Sequence, residues 1–176
     1  MKKIYVTVVA VILVVVAAML IAPTDYAVKR QVDINKPDTV VFSYLKLLKN
    51  QDEFSVWARM DPAMKKSYAG EDGTVGFISA WESDDENVGS GEQEIMAIEE
   101  GKRIDYELRF IKPYEATGKA YMEIEPLSAD STRVTWGFEG QMPRPMNIML
   151  LFLDMERQMA PALEDGLNNL KNKLQG

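Results

Sequence analysis

Tyr106, Tyr121 and Glu107 are the side chains whose types suit proton transfer, and each lacks the partner such work needs. General acid–base catalysis usually rests on a tuned pair, one group protonated and its neighbour ionised. Alternation along 103–110 sends Glu107 to the face opposite Tyr106, and alternation along 120–125 sends Tyr121 away from the apolar face. Tyr106 is left alone. The usual helpers are missing, because the 176 residues contain no His and no Cys. Their absence removes Ser-His-Asp and Cys-His nucleophiles, histidine metal ligation and thiolate-held zinc or iron–sulfur centres. The chain leans away from catalysis, although a tyrosine–carboxylate or water mechanism stays open.

Two clusters have cation-binding types. Asp84, Asp85 and Glu86 are consecutive, whereas calcium loops alternate their oxygen ligands around a Gly turn, so a solvated turn is expected. Met155 and Met159 share a helical face and thioethers bind copper(I), but Met142, Met146 and Met149 do not join that face. Adaptable packing is the expected role of these methionines. Gly70, Gly73 and Gly76 lack the Lys-Ser/Thr that completes a phosphate loop. Neither a metal nor a cofactor is expected.

The elements that must position these residues follow from periodicity. Tyr26, Val28, Arg30, Val32 and Ile34 alternate with polar partners and predict a strand. Asn35-Lys36-Pro37-Asp38 predicts a helix start, and Val41, Leu45 and Leu48 carry that helix to about Asn50. Residues 51–74 read as mixed turn material with Trp57, Asp61-Pro62 and Gly70 to Gly73. Strands are expected around Phe77–Trp81, Gly89–Ile98, Ile104–Phe110, Ala120–Ile124 and Val134–Phe138, joined by short turns as an antiparallel meander with one buried face. From Ile148 through Phe152, Met155, Met159, Leu163, Leu167, Leu170 and Leu174 the apolar spacing is helical, with Pro161 expected to kink or restart the helix.

The N-terminus is different in kind. Lys2 and Lys3 precede Ile4 to Thr24, which hold no charged side chain. Such a run, at ~1.5 Å per helical residue, crosses a ~30 Å hydrocarbon core. Residues 1–24 are read as a retained transmembrane anchor and 25–176 as one domain. A cleaved secretory signal is the alternative, with Val16-Ala17-Ala18 as its cleavage site, but Met19-Leu20-Ile21 extends the run beyond it. The two lysines before the span favour a cytoplasmic N-terminus and an extracytoplasmic domain in a single-pass cytoplasmic-membrane protein. Beyond the span, 18 basic residues face 27 acidic ones, a net charge of about −9 that opposes nucleic-acid binding.

The order strand, helix, meander and amphipathic C-terminal helix resembles the START-like, or SRPBCC, superfamily. The chain looks most like the bacterial polyketide cyclase/dehydrase and lipid-transport branch. The resemblance runs over Val32-Asp33-Ile34-Asn35-Lys36-Pro37 with Val41-Phe42, then Trp57 with Asp61-Pro62. It continues through Trp81-Glu82-Ser83, Val88-Gly89-Ser90-Gly91, Arg103-Ile104 to Phe110 and Pro113, then Ser131-Thr132-Arg133-Val134-Thr135-Trp136 and Gly166-Leu167-Asn168-Asn169-Leu170-Lys171. It implies an α+β helix-grip fold, a curved antiparallel sheet wrapped around a long C-terminal helix, here preceded by one transmembrane helix.

That fold encloses a hydrophobic cavity. Mapped here, its wall would include Trp81, Tyr106, Leu108, Phe110, Met122, Trp136 and Phe138 from the sheet and Met155, Met159 and Leu163 from the helix. Alternation independently puts the same residues on the buried face, where they would equally suit a solid core. The expected function is membrane-tethered binding or shuttling of a hydrophobic small molecule, a lipid or a polyketide- or isoprenoid-like compound. The alternatives are an envelope interaction module with a filled cavity and a protein partner that the sequence does not identify, and, behind it, a cyclase- or hydrolase-like enzyme of the kind the resemblance includes.

Overall fold

The computed structural model describes residues 2–85 and 87–176. Helix α1, Lys2–Ile21, buries none of its residues against the rest of the chain. Its 20 residues, with a mean hydropathy of 3.1 over an 18-residue window, meet the length and composition of a membrane span, which a signal sequence also meets. Strand β1, Asp25–Ile34, follows directly.

Helix α2, Asp38–Lys46, buries Val41, Phe42 and Leu45 and ends earlier than the apolar spacing predicts. Leu47 turns extended, and the Asp72 carboxylate accepts from the backbone N–H groups of Leu48 and Lys49 at 2.8 and 3.3 Å. Those two donors are thereby satisfied without an unbroken helix. A 3₁₀ turn, Leu48–Asn50, and two short helices, α3 (Gln51–Phe54) and α4 (Val56–Met60), follow.

Strand β2, Lys65–Ala69, lies where only turn material is expected. Its five residues, Lys-Lys-Ser-Tyr-Ala, are mostly exposed at a sheet edge, so no buried alternation marks them. The other strands are β3 (Ile78–Glu82), β4 (Ser90–Glu99), β5 (Arg103–Lys112), β6 (Ala116–Ser128) and β7 (Ser131–Gln141). They form one antiparallel sheet in the order β1-β7-β6-β5-β4-β3-β2, with β1 antiparallel to β7.

Helix α5, Met155–Gln175, packs mainly against β1 and buries Ala160, Leu163, Gly166, Leu167 and Leu170. The Asp154 carboxylate caps it by accepting from Arg157 N at 3.0 Å. Pro161 lies inside this one continuous helix, which does not restart there. Ile148 and Phe152 stand outside α5 because residues Met146–Leu151 form a separate 3₁₀ segment, and Phe152 is 84% exposed. The whole is the α+β helix-grip architecture: a seven-stranded antiparallel sheet packed on a long C-terminal helix.

The two sheet faces differ as alternation requires. Outside, Arg109 bonds Glu92, Glu94 and Glu107 at 2.5–2.7 Å, and Arg103 bonds Asp105 and Glu123. The three carboxylates push Arg109 far above its ordinary range. Inside lies the core, including Ile34, Ile95, Ile104, Met122, Val134 and Leu170.

Candidate functional site

Between the sheet, α3, α4 and α5 lies a cavity of about 470 Å³. Strand register shows how it is made. Two rows of facing residues cross the inner face, Ser79–Gln93–Leu108 and Trp81–Gly91–Phe110. Beyond them Phe110 faces Ala116, Leu108 faces Gly118 and Tyr106 faces Ala120. Ala116 and Ala120 line the cavity with short side chains, Gly118 makes room for the Phe138 ring, whose Cζ would stand 2.5 Å from an added Cβ, and Gly91 is the small member of its row.

Gly91 has a further role. A Cβ there would stand 2.7 Å from Trp81 Cζ2, so only glycine lets the indole lie across β4. The Trp81 ring thereby meets Phe110 edge-on, 6.0 Å between centroids. Gly166 similarly admits Trp136, whose Cζ3 would be 2.7 Å from an added Cβ. Trp136 meets Phe54 and Trp57 edge-on at 5.7 and 5.9 Å, which closes the cavity floor with a rigid aromatic group.

Of the ten residues expected in the wall, Trp81, Leu108, Phe110, Trp136, Phe138, Met159 and Leu163 line the cavity. Tyr106 and Met122 also point inward but are sealed in the core, at 1% and 0% exposure. Met155 packs against the core from the start of α5, outside the lining. Alternation selects a face, and it does not say how far along that face the packing closes.

One wall is polar, formed by Gln51, Asp52, Ser55, Lys66, Ser79 and Gln93. The Lys66 ammonium pairs with one Asp52 oxygen, and the Tyr68 hydroxyl donates to the other at 2.8 Å. Burial first, and the Asp52 carboxylate second, push the Tyr68 hydroxyl up to about 12. Gln51 is 8% exposed, and its Nε2 has no hydrogen-bond partner among the described residues. The Tyr106 hydroxyl beside it is likewise without a partner in good geometry, and burial drives its pKa far above the ordinary tyrosine value. Gln51, Asp52 and Lys66 escaped sequence reasoning because they lie in the segment read as turns. The buried amide is the group that needs an acceptor.

Glu107 and Tyr121 stand on the outer face, Glu107 bonded to Arg109 and Tyr121 under the Arg103 guanidinium at 4.0 Å. In the acidic turn, Asp85 accepts from Asn87 N at 2.8 Å, and Glu86 lies outside the described residues. Among the described residues no three His, Cys, Asp or Glu side chains converge as a metal site.

The cavity runs from buried Leu163 to a mouth edged by Asn87, Val88, Pro113 and Tyr114, the last 83% exposed. Asp61 ties one side of the mouth, accepting from Ser83 Oγ at 2.5 Å and from Ala63 N at 2.8 Å. These bonds, the Ser83 one foremost, hold the Asp61 carboxyl below its ordinary range.

Solved structures share this architecture. Norcoclaurine synthase from Thalictrum flavum, in complex with dopamine and hydroxybenzaldehyde, matches with a TM-score of 0.64 at 9% identity, covering 89% of this chain and 90% of that one. A Thermobifida fusca protein solved by NMR matches with a TM-score of 0.55 at 18% identity, covering 84% and 91%. A Mesorhizobium loti protein matches with a TM-score of 0.59 at 16% identity, covering 85% and 97%. At these identities the likeness is one of fold. No curated protein matches the sequence. The sequence profile described as polyketide cyclase / dehydrase and lipid transport matches residues 26–175, and the chain belongs to that family.

Proposed function

We propose that residues 25–176 form a domain that binds or shuttles one hydrophobic molecule, and that residues 1–24 tether it to a membrane. The observation that carries the proposal is the cavity: about 470 Å³ with aromatic and aliphatic side chains on most walls and an open mouth. That size falls within the ~300–1,000 Å³ of small-molecule sites, and the mix of apolar lining with few polar groups suits them too. The unpartnered Gln51 amide and the Lys66 ammonium favour a ligand with a hydrogen-bond acceptor at one end, such as a carboxylate, carbonyl or hydroxyl. A tether raises the concentration of the domain beside a lipid-dissolved ligand without adding any contact. Lys2 and Lys3 before the span support a cytoplasmic N-terminus and an extracytoplasmic domain.

Native mass spectrometry of the full chain released from detergent, followed by organic extraction, tests this reading. One apolar molecule per chain is the expected result. A chain that stays empty after incubation with lipid mixtures refutes ligand binding and leaves the protein-interaction role.

A second reading, acid–base chemistry on the bound molecule, has one observation in its favour, the Asp52–Lys66 pair in the cavity wall. The ammonium would polarise a ligand carbonyl while the carboxylate accepts a proton. Under that reading Lys66→Met abolishes turnover of the extracted compound while binding persists. In a pure carrier no turnover exists to lose.

A further inference from the structure

The end of α1 is fastened to the domain by specific bonds. Helices leave their last carbonyls unpaired, and near a membrane few donors are available to them. Here Asn147, with 0% exposure, donates its Nδ2 to Met19 O at 2.9 Å and to Ala22 O at 3.0 Å. Arg144 adds its Nε to Met19 O at 3.1 Å and its Nη2 to Leu20 O at 3.4 Å. Met142 N donates to Thr24 O at 2.8 Å. The segment between β7 and α5 therefore sits at the level where α1 ends.

That same segment is apolar and uncovered. Met146, Met149, Leu151 and Phe152 are 56%, 42%, 51% and 84% exposed, although their types would normally be buried. A 20-residue apolar helix matches the bilayer core, so its last turn lies at the hydrocarbon–headgroup boundary. Side chains held to that turn share its depth.

Strand register puts the cavity mouth at this end as well. Asp25 faces Gln141, Gly118 faces Gly140, Phe110 faces Ala116 and Ser90 faces Lys112. Hence the start of β1, the end of β7 and the loops that carry Tyr114 and Val88 all share one edge of the sheet.

We infer that the segment Met146–Phe152 inserts into the bilayer interface and, with Arg144 and Asn147 fixing the angle of α1, turns the cavity mouth toward the lipid. The inference rests on reading residues 1–24 as an anchor. The occupant of the patch is the bilayer itself. Charged groups at this edge are of both signs with an acidic excess, Lys112, Arg144 and Arg157 against Asp25, Asp84, Asp85, Glu115 and Asp154, so attachment comes from apolar side chains and needs no anionic lipid. A hydrophobic molecule would then pass between membrane and cavity without crossing open water.

The chain has no native cysteine, so single labels report cleanly. Full-length protein carrying Tyr114→Cys, Met149→Cys, Phe152→Cys or Asp130→Cys is reconstituted into phosphatidylcholine vesicles and labelled with a small fluorophore. Asp130 is the control, in the β6–β7 turn at the opposite edge. Lipids brominated near the headgroup end of the tail should quench the labels at 114, 149 and 152 severalfold more than the label at 130. Phe152→Asp, a change at a solvent-exposed position, should reduce quenching at 114. Labels at 149 and 152 quenched no more than the one at 130, in a chain that resists alkaline extraction, overturn the docking alone. A chain released by alkaline extraction overturns the anchor and the docking together. Neither readout requires the ligand, so an empty cavity would leave this inference standing.

Discussion

The two edges of one sheet reach opposite outcomes from the same alternation. Where β1 runs into α2, the inner-face residues Ile34, Ile104, Met122 and Val134 are fully buried with Leu170 of α5. At the edge near α1, the inner-face residues Trp81 and Phe110 border open space, with Gly91 between them and the short side chains of Ala116 and Ala120 beyond. Helix α2 packs over β6 and β7 at the first edge, whereas the short α3 and α4 and the first turns of α5 border the gap at the second. A buried face becomes core where large side chains and a helix meet it, and becomes a cavity where small residues stand under a gap.

The sharpest way to break this comparison is to delete volume at the closed edge. Leu170→Ala should cost about 2–5 kcal/mol, since a void in a sealed core collapses only in part. Denaturant unfolding of the full chain in mild detergent measures it. Phe110→Ala at the open edge should cost less than about 2 kcal/mol, because the ring is part-exposed and the removed volume joins an existing space. Its effect should appear instead in ligand retention, reduced about tenfold, as the loss of one apolar contact implies. If both substitutions destabilise equally, the two edges do not differ.

Gln51→Leu probes the polar wall. Among the described residues the Gln51 amide makes no hydrogen bond through Nε2, so its removal should leave folding stability within about 1 kcal/mol of the parent or raise it. A competition assay should then show a fatty acid losing its advantage over the matching hydrocarbon.

The smallest effect is expected at the mouth. Asp61 titrates below its ordinary range because Ser83 and the Ala63 amide bond its ionised form. A carboxyl lowered in the folded state contributes stability above its unfolded pKa and loses it as pH falls through the folded one. Acidification below the ordinary carboxylate range should therefore lower the hydrogen-exchange protection of the Ser83 amide, relative to the intrinsic rate at the same pH; this amide donates to Gly89 O at 3.0 Å. Asp61→Asn should remove that pH dependence, and an unchanged profile would show that the tie does not hold the mouth.

Legibility in the sequence followed the range of the interactions. Strands β4 to β7 alternate in the chain itself, and α5 repeats every three or four residues, so both could be read directly. The early end of α2 could not, since it depends on Asp72, which lies more than 20 residues downstream. Strand β2 could not either: it is a strand through pairing with β3, Lys66 opposite Trp81, and its own side chains show no buried face. With β2 unread, Lys66 and its Asp52 partner had no place in a site. The short side chains of Ala116 and Ala120, on one face of one strand, were the available signal for a cavity.

By itself the sequence determined an apolar N-terminal helix, an acidic domain without histidine or cysteine chemistry, and the order of elements of the helix-grip fold. These follow from composition and from periods of two and about three and a half, which are local properties of the chain. Only the tertiary structure decided where the buried face stays empty, that Gln51 and Lys66 border that space, and that Asn147 and Arg144 grip the end of α1. Each depends on side-chain volumes and hydrogen bonds summed across strands and helices that lie far apart in sequence.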